Sequence, residues 1–92
     1  MNRKLVARQV AEAREQLQDL EARLSGGGRL GEGEFAVLLG HAYHHLNFAW
    51  NCRSITLKDY HSLTEAQFRK WGLVPRQVAE NVVTSRVRRG DV

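Results

Sequence analysis

One cysteine, one proline and one methionine are all that the 92 residues contain. A lone thiol, Cys52, closes no disulfide within the chain, so packing has to hold the fold, and this use of cysteine fits a reducing, cytoplasmic setting. Long apolar runs are also missing. None approaches the roughly 18 residues that span a bilayer, so no membrane partner is expected. The basic start, Met1 to Arg8, alternates charge with apolar residues and lacks the continuous apolar stretch of a secretion signal. A large excess of one charge is absent too: 14 Lys and Arg face 10 Asp and Glu, and 42% of the residues are hydrophobic. Such a chain is too apolar and too weakly charged to stay disordered. Its length admits one domain, 1–92, which buries only about 60% of the surface of the unfolded chain.

What the chain does contain is helical periodicity. Val6, Val10, Ala13, Leu17, Leu20 and Leu24 are spaced four, three, four, three, four, a heptad seam on a helix over 3–25. Polar and charged helix formers fill the positions between, so the seam is narrow and calls for a partner helix. Five of the eight glycines then fall between Ser25 and Gly33 and define a loop at 26–33. This loop lacks the Gly-Lys-Ser/Thr ending of a phosphate-binding loop and the strand before it, so it reads as a connection between neighbouring helices.

A second helix is predicted over 34–53. Phe35, Leu38, Leu39, Ala42, Leu46, Ala49 and Trp50 share one broad face, with Gly40, His44, Asn47 and Asn51 opposite. A helix charged only at its ends is expected to be enclosed, either by the C-terminal segment or by another subunit. The connector 54–62 suits a strand or a turn equally. Ser62 to Glu65 and Thr64 to Gln67 both match the capping box, and one of them starts a short helix over 63–71, which Gly72 ends. Pro75 opens a last helix over 75–86, and a basic tail occupies 87–92. The expected fold is all-α: a long antiparallel helical hairpin with two short C-terminal helices, completing a bundle as a dimer.

Chemistry-bearing residues are few. His41 and His45 lie four apart on one helix face, the spacing at which two imidazoles share a divalent metal ion, and His61, or Glu12 or Glu15 of the first helix, would be a weaker third ligand if folding brought it close. No His-Glu-x-x-His, no carboxylate-histidine pair and no cysteine pair accompanies them, so packing histidines are the preferred reading and no cofactor is expected. His44 points away from this pair, toward solvent or a subunit contact. Crowding of the three rings would also favour neutral imidazoles. Cys52 lies seven residues past His45, about 10 Å along the helix axis, too far for a thiol–imidazole pair. No catalytic residue is assigned, and an enzyme is not expected.

Leu39, Leu46, Phe48 and Trp50 are the candidate interface residues, Phe48 because it projects from the less apolar side. Positive charge gathers C-terminally, where Arg86, Arg88 and Arg89 could meet nucleic-acid phosphates without sequence preference. The leading expectation is a small non-catalytic helical protein that acts by protein–protein association, as a homodimer or with a helical partner. A metal-binding domain stands second and a nonspecific nucleic-acid binder third.

Overall fold

Asn2 begins the first helix: its side-chain oxygen accepts from the Leu5 amide at 3.3 Å, capping one of the free N–H groups of the first turn. The computed structural model describes residues 1–85 and places five helices among them, with no strand: α1 Arg3–Ser25, α2 Glu32–Asn51, α3 Leu57–His61, α4 Glu65–Trp71 and α5 Arg76–Ser85. Among these residues no helix is long and apolar enough to cross a membrane. Arg86, Arg88, Arg89 and the expected tail at 87–92 lie outside the described residues.

α1 has the expected bounds. At its end the Gly26 amide donates to the Ala22 carbonyl at 2.9 Å, and Gly27 then takes a φ of 70°, left-handed backbone that a side chain would oppose. α2 starts two residues before the expected Glu34. Glu32 and Glu34 in its first turn face the positive end of the helix dipole, which outweighs the cost of Gly33 there. It also stops short of the expected Arg53, whose guanidinium folds back over the Trp50 ring at 3.9 Å and donates to the Trp50 carbonyl at 2.7 Å.

The connector holds neither a strand nor a simple turn. Thr56 accepts from the Asp59 amide at 3.1 Å and caps the five-residue α3. Of the two capping boxes, the second forms: the Gln67 amide donates to Thr64 Oγ1 at 3.1 Å and the Thr64 amide to Gln67 Oε1 at 2.9 Å. α4 therefore begins at Glu65, later than the expected residue 63.

α2 packs against α1 on one side and against α4 on another. The start of α1 lies beside the end of α2, where the Asn2 amide donates to the Arg53 carbonyl at 2.6 Å and the Asn2 side chain to the Ile55 carbonyl at 2.8 Å. At the other end, Arg23 of α1 pairs with Glu34 of α2. Leu5, Ala13, Leu20, Ala42, Phe48 and Cys52 form the buried apolar core, joined by two buried amides, Gln9 and Asn47.

The heptad seam is thus only half used. Ala13 and Leu20 are buried, but Val10, Leu17 and Leu24 are exposed, and the line facing α2 runs through Leu5, Gln9, Ala13 and Leu20 instead. This rotation of α1 brings Gln9 to polar partners on α2 and α3, without which a buried amide is costly.

Candidate functional site

Three arrangements sit on this scaffold, the first a polar network between α1, α2 and α3. Gln9, only 1% exposed, donates through Nε2 to the Tyr60 hydroxyl at 2.6 Å. Its Oε1 lies 2.9 Å from His45 Nδ1, and Glu12 Oε2 lies 3.1 Å from the same nitrogen. Both neighbours of Nδ1 are acceptors, so this nitrogen carries a proton. The arrangement fixes the ring, as a structural contact, a ligand or a base all require.

The expected metal residues are not gathered around it. His41 is exposed one turn earlier on α2, and His61 sits on α3 with its ring edge-on to Tyr60 at 5.9 Å. Among the described residues no group of three His, Cys, Asp or Glu side chains is placed to hold a metal ion. Cys52 is fully buried with its sulfur 3.7 Å from the Ala49 carbonyl, and burial raises its pKa, which keeps the thiol protonated. No activated nucleophile accompanies His45 on this helix.

The second arrangement joins α2 to α4. The His44 ring lies 4.3 Å from the Phe48 ring and 4.8 Å from the Phe68 ring, and Phe48 also meets Trp71 edge-on at 5.8 Å. Desolvation, followed by the neighbouring His45 and His41, lowers the His44 pKa. Beside the rings, Asn47 donates to the Gly72 carbonyl at 2.7 Å and Asn51 to the Trp71 carbonyl at 3.3 Å, satisfying acceptors that the end of α4 leaves free. Two expectations change here. His44 is half-buried between the Phe48 and Phe68 rings, and Phe48, expected at an interface, is 2% exposed because α4 covers it. On this side of α2 the cover comes from α4 of the C-terminal segment.

The third arrangement is an uncovered apolar face along α1 and α2. Val10, Leu17 and Leu24 are 48, 44 and 58% exposed, and Leu46 of α2 is 45% exposed beside them. A groove of about 350 Å³ runs between the two helices, lined by Val10, Ala13, Leu17 and Leu46 with Arg14 and Glu21 on α1. Of the other expected interface residues, Leu39 is half-buried. Trp50 is half-buried as well, with one face under Arg53 and its edge in a separate groove with Leu73 and Pro75.

Gln9 and Tyr60 escaped the sequence reading. A glutamine at the i+4 step between Leu5 and Ala13 is the signal that a polar group lies inside, but it shows only once the rotation of α1 is known. The chain matches no protein family, no curated protein and no solved structure.

Proposed function

We infer that this protein acts by association, its α1–α2 pair forming an antiparallel hairpin that joins another copy through the apolar face left open on the two helices. One observation carries the reading. Half of a strict heptad seam, Val10, Leu17 and Leu24, stands in solvent next to Leu46, while the other half is spent on the hairpin itself. Isolated exposed leucines are ordinary, but a continuous line at heptad spacing along one helix is the pattern that a partner helix covers. The packing supports this, since among the described residues α4 lies against α2 on another side and leaves this face of α1 uncovered.

The metal reading carries less: Glu12 touches His45, but among the described residues no group of three His, Cys, Asp or Glu side chains is placed to hold a metal ion. The test of association is the mass in solution. Light scattering should give about twice the 10.5 kDa chain mass, and Leu17→Glu should return it to one chain with helical circular dichroism unchanged, because Leu17 adds little to the fold of a single chain. A wild type that stays monomeric at high concentration would end this reading.

A further inference from the structure

We propose that the partner is a second copy of this chain whose α1 lies antiparallel to the first, related by a two-fold axis passing close to Leu17. The proposal rests on the association reading and adds its orientation and register. Along the exposed line of α1 the order is Val10, Arg14, Leu17, Glu21, Leu24. This order is self-complementary. Turned end for end about Leu17, it sets Val10 level with the partner's Leu24, Leu17 with the partner's Leu17, and Arg14 within one residue of level with the partner's Glu21. Every apolar position then meets an apolar one, and each of two equivalent charge pairs is of opposite sign.

A parallel pairing with the same symmetry fails on charge, because it would set Arg14 against Arg14 and Glu21 against Glu21. Like charges held side by side at a closing apolar seam are unfavourable, whereas the antiparallel order turns the same residues into two cross-pairs. Both charges are available for this. Among the described residues neither Arg14 nor Glu21 is in an ion pair, whereas the nearby Arg23 is already taken by Asp19 and Glu34. Both also line the groove that Leu46 closes from α2, so a helix laid on Leu17 would bring its own Leu17 toward that groove. The line from Val10 to Leu24 is about 21 Å long, at 1.5 Å per residue, enough for a continuous helix–helix seam.

Thiol cross-linking and charge reversal test the orientation. Wild type, whose single thiol Cys52 is buried, is the blank for a short bismaleimide. Val10→Cys and Leu24→Cys are expected to cross-link poorly alone and efficiently once mixed and allowed to exchange. Arg14→Glu and Glu21→Arg should each weaken dimerisation, by about ten-fold at low ionic strength and less at high salt, and the double reversal should recover wild-type affinity. A dimer in which each single cysteine variant links to itself, or in which the double reversal recovers nothing, would overturn the antiparallel register and leave association standing. A monomer by light scattering would overturn both.

Discussion

His44 is the residue whose environment makes the clearest statement about solution behaviour. Its pKa is lowered, first by desolvation between Phe48 and Phe68 and then by the neighbouring His45 and His41. The folded chain therefore binds this proton less readily than the unfolded chain does. The stability involved is fully present above the ordinary histidine value of about 6.5 and drains away as the pH falls below it through the lower folded value. Denaturation midpoints followed downward from pH 8 should fall below that value, and His44→Phe, which keeps a ring between Phe48 and Phe68, should flatten the profile. A second expectation concerns Gln9. Gln9→Leu removes the partner of Tyr60 and one partner of His45, and should cost about 1–3 kcal/mol in chemical denaturation. Tyr60→Phe should cost less, because it deletes only one end of one hydrogen bond.

At the scale of elements, α4 is held chiefly by α2 among the described residues. The latch consists of Asn47 and Asn51 on the Gly72 and Trp71 carbonyls, with the Phe48, Phe68 and His44 rings beside it. Gly72 belongs to it for a steric reason: a Cβ there would come within 3.1 Å of His44 Nδ1, so the ring would have to move. Gly72→Ala and Asn47→Ala should each raise amide hydrogen exchange in α4 while leaving protection across the α1–α2 contact in place, since the latter rests on a different side of α2. Equal loss in both regions would mean that α4 and the α1–α2 pair unfold as one unit.

For the whole molecule, shape and surface agree. The radius of gyration is 15.3 Å, against about 12 Å for a compact chain of this length. An elongated small protein leaves more of its apolar area in water; part of it here is the line on α1 beside Leu46, and Val37, Tyr43, Leu73 and Val74 are exposed elsewhere. Leu20→Asp and Leu17→Asp should separate the two sides of that helix. The first substitution buries a charge in the core and should unfold the chain, whereas the second should leave it folded and shift only its mass in solution.

The sequence by itself determined that this protein is helical, where α1 lies, that Thr64 could cap α4 and that Gly72 ends it. Each of these follows from interactions within a few residues: apolar spacing at the helical period, a capping box, glycine beyond a last turn. The lack of charge along α2 pointed to a largely enclosed helix, but not to which side would be covered, and His44 was expected toward solvent or a subunit. Only the tertiary structure decided which side of α1 turns inward. Spacing put Val10, Leu17 and Leu24 on one seam with Ala13 and Leu20, and the fold turned only the latter two inward, with Gln9, which meets His45 and Tyr60 across three helices. That choice turns on a buried amide finding partners 36 and 51 residues away, and no local pattern carries such information. The same holds for Phe48, whose place in the core depends on α4 folding back to cover it.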